Sequence, residues 1–190
     1  MLTKNYLAIY AKSFNWAGFF LPKKTYDKCS ALYDFCREVD NIADDENKIE
    51  VKKDNFIKFR NSFVNKNYND PVIKNMWNLI NEFGISTKIV EDLFEVINSD
   101  IKESVKLNSK KELLIYSYRV AGTVGLMMAK ILNVHKEQSL KSAIDLGIAM
   151  QLTNISRDVI EDKKNNRSYI SENFKDIETT IKLSENFYEN

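Results

Sequence analysis

Apolar side chains recur every three or four positions along most of this 190-residue chain, the spacing that places them on one face of an α-helix. No window alternates apolar and polar residues between turn-forming residues, so the pattern predicts no sheet. Pro22 precedes the first long helical pattern, where its fixed φ favours a helix start. The predicted helices cover about 23–45, 49–66, 72–83, 87–108, 110–134 and 137–163. The sequence therefore predicts an all-α protein.

Composition supports this prediction. The chain has only five glycines and two prolines, too few turn-forming residues for a many-stranded sandwich or barrel. Hydrophobic residues make up 44% and charged residues 29%, values that are ordinary for a globular protein. The length and the absence of a linker pattern predict a single domain over 1–190.

Charge and histidine content exclude several function classes. The net charge of +1 gives no overall field that would attract nucleic acid. The longest uncharged run, Leu146–Ser156, is much shorter than the roughly 18 residues of a membrane span. The apolar stretch Tyr6–Ala11 is too short for a signal peptide, so we expect a cytoplasmic protein. His135 is the only histidine, so any metal ion here needs oxygen ligands.

A first acidic row lies on the helix predicted over 23–45. At about 100° per residue, Asp40 and Asp44 share a face with Tyr33, and Arg37 lies beside them. A separate stripe predicts the solvent-facing side of this helix and contains Asp34, Glu38 and Asp45. Carboxylates one turn apart repel each other unless a cation neutralises them. The angles alone leave open that the row is a helix end fraying into solvent.

A second row lies on the helix predicted over 137–163. It follows an apolar stripe and contains Gln151, Asn154, Asp158 and Asp162, with Arg157 at its flank. Amide and carboxylate oxygens on successive turns are ligands that Mg²⁺ accepts when it also binds phosphates. Arginines beside such rows supply charge for a diphosphate. The two rows together predict a metal-dependent diphosphate site in a helical bundle.

Three ordered sequence blocks resemble the squalene and phytoene synthase family. The first block begins with Ser13-Phe14 and Leu21-Pro22 and continues through ALYDFCREVDNIAD, residues 31–44. The second is YSYRVAGTVGLMM, residues 116–128. The third is QLTNISRDVIED, residues 151–162, followed by RSYI, residues 167–170. Their order and spacing agree with the family from about residue 11 to 171.

The resemblance implies an isoprenoid-synthase-type helical bundle that acts as a prenyltransferase. Family members join two prenyl diphosphates head to head through a cyclopropyl diphosphate. The second and third blocks are most similar to bacterial phytoene synthases, which use two geranylgeranyl diphosphates and need no NADPH. The alternatives are a squalene or dehydrosqualene synthase that uses farnesyl diphosphate, and a non-catalytic accessory member of the fold.

The resemblance also assigns roles by motif position. The implied metal ligands, for Mg²⁺ or alternatively Mn²⁺, are Asp40, Asp44, Asn154 and Asp158. The implied catalytic residues are Tyr33, Tyr116 and Asp162, the last as a metal or catalytic group. The implied diphosphate- and prenyl-binding residues are Ser13, Phe14, Arg37, Gln151, Arg157 and Arg167. Gly122 and Gly125 either allow close helix packing or leave room for a prenyl chain, and the resemblance favours the second.

Length is the main departure from the family. Members continue through several more helices that close the tunnel, whereas this sequence ends at Asn190. The chain is therefore expected to lack the C-terminal helices, as a truncated product or as one part of a split enzyme with a partner chain. We expect prenyl diphosphates as substrates, and a cytoplasmic or membrane-peripheral location.

Overall fold

The computed structural model describes residues 6–10 and 12–190, and most of them are helical. The helices are α1 (Tyr6–Tyr10), α2 (Lys12–Gly18), α3 (Lys23–Asp44), α4 (Ile49–Val64), α5 (Pro71–Phe83), α6 (Thr87–Asp100), α7 (Lys110–Ser117), α8 (Thr123–Ile131), α9 (Glu137–Lys164) and α10 (Phe174–Tyr188). A π-helical turn, Tyr118–Gly122, joins α7 to α8. The prediction of an all-α protein is confirmed. None of the described helices is long and apolar enough to cross a membrane.

The structure also contains a short strand pair that the sequence analysis did not predict. β1 (Val105–Lys106) and β2 (Arg167–Ser168) run parallel, with Val105 opposite Arg167. The Val105 N–H donates to the Asn166 carbonyl at 3.0 Å, and the Leu107 N–H donates to the Ser168 carbonyl at 3.1 Å. Each strand has only two residues, which is too short for the apolar–polar alternation that identifies a strand in a sequence.

The described residues form two compact units. The first comprises the chain up to Lys88 together with Met127–Val134, and the second comprises Ile89–Leu126 and His135–Asn190. The assignment of 1–190 to one domain stays a prediction.

In the first unit, α3 packs against α1, α4 and α5. Leu32, Phe35 and Val39 form the apolar face of α3 and are completely buried. The Phe35 ring lies 5.6 Å from that of Phe63, which stacks on Trp77 at 5.1 Å. The Trp77 indole N–H donates to the Phe63 carbonyl at 2.8 Å, so this large side chain is buried without an unsatisfied donor. The core thus fixes which face of α3 points away from it.

In the second unit, α9 packs against α10, α7 and the π-helical turn. A Cβ atom placed on Gly125 would lie 2.2 Å from the Ala143 carbonyl oxygen, and one placed on Gly147 would lie 2.4 Å from the Ala121 carbonyl oxygen. The backbones therefore meet directly. The space beside Gly125 is filled by α9, so the structure supports close packing at this position rather than room for a prenyl chain.

The largest departures from the predicted helices after α3 lie at three places. The helix predicted over 87–108 ends at Asp100, because Asn98, Ser99 and Asp100 are residues that compete for backbone hydrogen bonds; the Ser99 hydroxyl donates to the Val96 carbonyl at 2.7 Å. The helix predicted over 110–134 is interrupted by the π-helical turn. The sequence predicts no helix after 163, yet α10 begins at Phe174, and its cap Asn173 accepts a hydrogen bond from the Asp176 N–H at 2.8 Å.

Candidate active site

The first acidic row lies on the part of α3 that the first unit leaves partly exposed. Tyr33, Arg37 and Asp40 are partly exposed, and Asp44 is exposed. Arg37 Nη1 lies 4.0 Å from Asp44 Oδ2. Because Val39 and Ala43 anchor the opposite face in the core, the carboxylates of Asp40 and Asp44 follow each other one turn apart, as the sequence predicted.

Two side chains beside this row, Tyr33 and Cys36, are shielded from water. Burial raises the pKa of the Tyr33 phenol, with the charge of Asp40 adding to the rise and Arg37 opposing it. Burial, with a further contribution from Asp40, also raises the pKa of the Cys36 thiol. Two groups beside Asp40 are therefore kept neutral by burial, and in such an environment a carboxylate and a cation interact more strongly than in water.

The stripe predicted as the solvent face of α3 has another role. Asp34 is 3% exposed and accepts a hydrogen bond from the backbone N–H of Tyr6 at 2.9 Å. The Tyr6 hydroxyl donates to Glu38 Oε2 at 3.0 Å. The assignment of Asp34 and Glu38 to solvent was wrong, because both carboxylates hold α1 against α3. Asp40 and Asp44 lie on the neighbouring face of α3, which carries the first acidic row.

The second row lies along one side of α9. The opposite side buries Leu152, Ile155 and Val159 in the second unit. The oxygen donors predicted from the sequence are partly or fully exposed and comprise Gln151, Asn154, Asp158 and Asp162. Their spacing of three and four residues places the donors on successive turns of a continuous helix.

Asp158 and Arg157 form a close charged pair on this row. Arg157 Nε donates to Asp158 Oδ1 at 2.7 Å, and Arg157 Nη2 donates to Asp158 Oδ2 at 2.6 Å. The hydrogen bonds from Arg157 lower the pKa of Asp158, so this carboxylate is ionised at neutral pH. The guanidinium thus binds one lone pair on each Asp158 oxygen, and the remaining lone pairs and N–H donors of the pair are available to other ligands.

Asp162 lies in a different environment, at the wall of a cavity of about 610 Å³ within the second unit. Burial raises the pKa of its carboxyl, the charge of Asp158 adds to the rise, and Arg167 opposes it. Arg167, Lys106 and Lys110 line the same cavity. The structure thus places the predicted residues Asp162 and Arg167 together, with two lysines that the sequence analysis did not select.

Tyr116, the third predicted catalytic residue, is buried in a polar cluster of the second unit. Its hydroxyl lies 3.0 Å from Asp100 Oδ2 and 2.9 Å from the Tyr169 hydroxyl, and the two tyrosine rings are 4.7 Å apart. All three residues are less than 10% exposed. Burial raises the pKa of Tyr116 well above its usual range and that of Tyr169 to about 12. Both phenols are therefore neutral at physiological pH.

Asp100 and Tyr169 are members of this cluster that sequence reasoning missed. Asp100 is in register with the buried residues Leu93 and Ile97 of α6, and a carboxylate on an apolar stripe is a signal that could have identified it. Tyr169 belongs to the motif over 167–170, which the sequence analysis quoted without giving this residue a role. Two other predicted residues, Ser13 and Phe14, have side chains outside the described part of the structure.

The donor chemistry of both rows fits a hard divalent cation. The predicted ligands offer carboxylate and amide oxygens, which Mg²⁺ prefers. None of these ligands is a cysteine or a histidine. Among the described residues no group of three or more His, Cys, Asp or Glu side chains is placed to hold an ion by itself. Mg²⁺ commonly takes one or two protein carboxylates and completes its shell with water and substrate phosphates. The rows suit that mode of binding.

Comparison with known proteins agrees with the motifs. The sequence profile of the squalene/phytoene synthase family matches residues 7–176. The chain is 30% identical over 176 residues to 15-cis-phytoene synthase of Pantoea ananas, covering 86% of this chain and 57% of that protein. It is 33% identical over 169 residues to phytoene synthase of Cereibacter sphaeroides, covering 83% and 47% respectively. The chain thus spans about half the length of the curated relatives it matches.

A solved structure gives the same result. The crystal structure of a dehydrosqualene synthase in complex with ligand superposes with a TM-score of 0.83 and 28% identity, over 97% of this chain and 72% of that one. The fold of this chain is therefore the all-α isoprenoid synthase fold. The chain belongs to the squalene/phytoene synthase family.

Proposed function

We propose that this chain is a prenyltransferase that condenses two geranylgeranyl diphosphates head to head to phytoene, through a cyclopropyl diphosphate. The family profile covers most of the chain, and the curated relatives at 30 and 33% identity are named phytoene synthases. The observation that carries the proposal is the row of oxygen donors along α9, which leads from Gln151 to the cavity wall at Asp162. No NADPH is required for this product.

In this proposal the two acidic rows hold Mg²⁺ and the substrate diphosphate. The metal ligands are Asp40, Asp44, Asn154 and Asp158, with Asp162 completing the second row. The diphosphate contacts are Ser13, Arg37, Gln151, Arg157 and Arg167, and Phe14 contacts the prenyl chain. When bound, Mg²⁺ would stabilise the negative charge that develops on the departing diphosphate. Mn²⁺ has the same ligand preferences and is the alternative ion.

In this proposal, Tyr33 and Tyr116 stabilise the carbocation without reacting with it. Tyr33 and Tyr116 present aromatic rings, which stabilise a cation through their π faces without forming a bond to it. A phenolate would instead be a nucleophile that captures the cation. The raised pKa values of both phenols, caused mainly by burial, keep them protonated and support this role. Tyr169 and Asp100 fix the hydroxyl of Tyr116 from the side.

The test is a product assay on the purified chain. The protein is incubated with Mg²⁺ and radiolabelled geranylgeranyl or farnesyl diphosphate, without NADPH, and hydrocarbons are separated by chain length. Phytoene as the main product is the expected result. Dehydrosqualene, formed from farnesyl diphosphate, would replace the proposed substrate by the shorter one. No hydrocarbon from a chain with an intact helical circular dichroism spectrum would overturn the proposed activity of this chain and indicate a truncated or an accessory member of the family.

A further inference from the structure

An exposed cluster of aromatic side chains lies on the first unit where α2 leads into α3. Trp16, Phe19 and Phe20 are 72, 83 and 73% exposed. The ring centroids of Trp16 and Phe20 are 5.5 Å apart, and those of Phe19 and Phe20 are 6.0 Å apart. The three rings therefore form one continuous surface, called here the aromatic patch. Contiguous exposed apolar surface of this kind marks interaction sites.

The backbone under the aromatic patch is fastened to α3. The Tyr26 hydroxyl donates to Asn15 Oδ1 at 2.5 Å. Gly18 is buried against the Tyr26 ring so closely that a Cβ atom would lie 2.8 Å from Tyr26 Cδ2. The Leu21 N–H donates to the Gly18 carbonyl at 2.9 Å and closes the turn. Because Gly18 and Tyr26 fill the inner side, the rings of the patch point outward from a fixed turn.

Charge identifies the partner surface. The first 26 residues contain four lysines, at positions 4, 12, 23 and 24, and no Asp or Glu, although the whole chain has a net charge of only +1. Lys23 and Lys24 are exposed and follow the aromatic patch directly. The first carboxylate in the sequence, Asp27, lies 3.4 Å from Lys23 Nζ. The patch is therefore bordered by positive charge, which is complementary to a surface of phosphate groups.

We infer that the aromatic patch and the adjoining lysines dock the first unit onto an anionic phospholipid bilayer. Trp and Phe side chains favour the interface between headgroups and acyl chains, where their rings leave water. Lysines beside them bind lipid phosphates and add affinity that salt weakens. A protein with an acidic surface would also attract these lysines, and the vesicle experiment distinguishes it from a bilayer. Exposed Trp and Phe rings beside lysines are the side chains that membrane-interface segments combine. The bilayer accounts for both features.

The first test measures vesicle binding of the full chain by flotation. Binding is expected with phosphatidylcholine vesicles that contain about one third phosphatidylglycerol, and it is expected to fall with added salt. The variant Trp16→Ser/Phe19→Ser/Phe20→Ser should bind at least about tenfold more weakly. Lys23→Gln/Lys24→Gln should remove the preference for anionic vesicles. Ile160→Ser/Phe174→Ser, two exposed apolar residues of the second unit, is the matched control and should bind normally.

Tryptophan fluorescence provides a second readout. Trp16 should shift to shorter wavelength and be quenched by brominated lipid, while the emission of the buried Trp77 stays constant. No vesicle binding, or equal binding by the aromatic variant and the unmodified chain, would overturn the inference. An aromatic variant that changes only the oligomeric state in light scattering would assign the patch to a second copy of the chain and also overturn it. No substrate is used, so failure here leaves the proposed prenyltransferase reaction untouched.

Discussion

At the scale of single residues, burial sets the charge of the tyrosines in the second unit. Tyr116 and Tyr169 are each 7% exposed, and a phenolate there would lose its hydration and lie beside the carboxylate of Asp100. Both folded-state pKa values are therefore raised above the ordinary value near 10. As the pH rises, the unfolded chain loses these protons before the folded chain does.

This difference predicts a loss of stability in alkaline solution. The contribution of Tyr169 is complete below about pH 10, declines as the pH rises, and is lost by its folded-state pKa of about 12. Tyr169→Phe should lower the free energy of unfolding by about 1 kcal/mol near neutral pH, because one hydrogen bond is lost. Between pH 10 and 12 the variant should lose stability less steeply, by up to about 1.4 kcal/mol per pH unit. Urea denaturation at several pH values measures both effects, and parallel curves would contradict the prediction.

A second prediction at this scale concerns Asp158. Asp158→Asn removes the charge that pairs with Arg157 and, in the proposed site, with Mg²⁺. Turnover should fall by about 100-fold or more, because charge stabilisation at the leaving group is lost. Far-ultraviolet circular dichroism should remain unchanged, since the side chain is partly exposed. Glu161→Gln, on an exposed side of the same helix, is the control. Full Mg²⁺-dependent activity in Asp158→Asn would refute the ligand assignment.

At the scale of the elements, the contact of α9 with the segment over 118–126 rests on glycine. Gly125→Ala should destabilise the chain by about 3 kcal/mol, because the new methyl group would overlap the Ala143 carbonyl and force the backbones apart. Gly84→Ala is a useful comparison, since Gly84 has φ +58° and no atom within 4 Å of an added Cβ. It should cost only about 1 kcal/mol of backbone strain. Chemical denaturation of both variants measures the loss in free energy of unfolding. Equal losses for the two variants would show that the close backbone contact at Gly125 adds no destabilisation.

The elements also show what the sequence can predict. α3 was predicted to within one residue, because Pro22 fixes its start and its apolar spacing continues to Ala43. The break after Phe83 was predicted as well, since Gly84 adopts a left-handed conformation. These features depend on residues close together in the chain. The π-helical turn is different, because it brings the Ala121 carbonyl to Gly147 in another helix, a contact that local propensity does not encode.

The same distinction holds for the candidate site. Helical spacing was sufficient to predict the face shared by Asp158 and Asp162, whose environments nevertheless differ. It did not predict that Asp34 would be buried, because this depends on the Tyr6 N–H from α1. Nor could it place Tyr169 against Tyr116, which requires β2 to align with β1. The spacing of residues in the sequence therefore predicts which side chains share a face of a helix. Contacts with distant segments of the chain determine whether those side chains are hydrated and charged.

At the scale of the whole molecule, the proposed function assigns ligands on two different helices to one diphosphate. Asp40 lies on α3 and Asp158 on α9. Asp40→Asn and Asp158→Asn should each greatly weaken the Mg²⁺-dependent binding of inorganic diphosphate in titration calorimetry. The double variant should bind little worse than either single variant, because ligands of one cluster are not additive. Chelation by EDTA should abolish the heat signal.

Additive losses in the double variant would show that the two carboxylates act at independent sites. The matched control is Asp92→Asn, a carboxylate of α6 outside both rows. It should leave the binding heat unchanged.

The pairing of Tyr116 with Tyr169 joins positions 53 residues apart in the chain. During synthesis on the ribosome, Tyr116 emerges well before its partner and stays hydrated until α9 has been made and β2 can align with β1. Long-range closures of this kind form late in folding, because the intervening loop must first lose its conformational freedom. The acidic residues of α9 are therefore synthesised before Tyr116 and Tyr169 pair and are shielded from water.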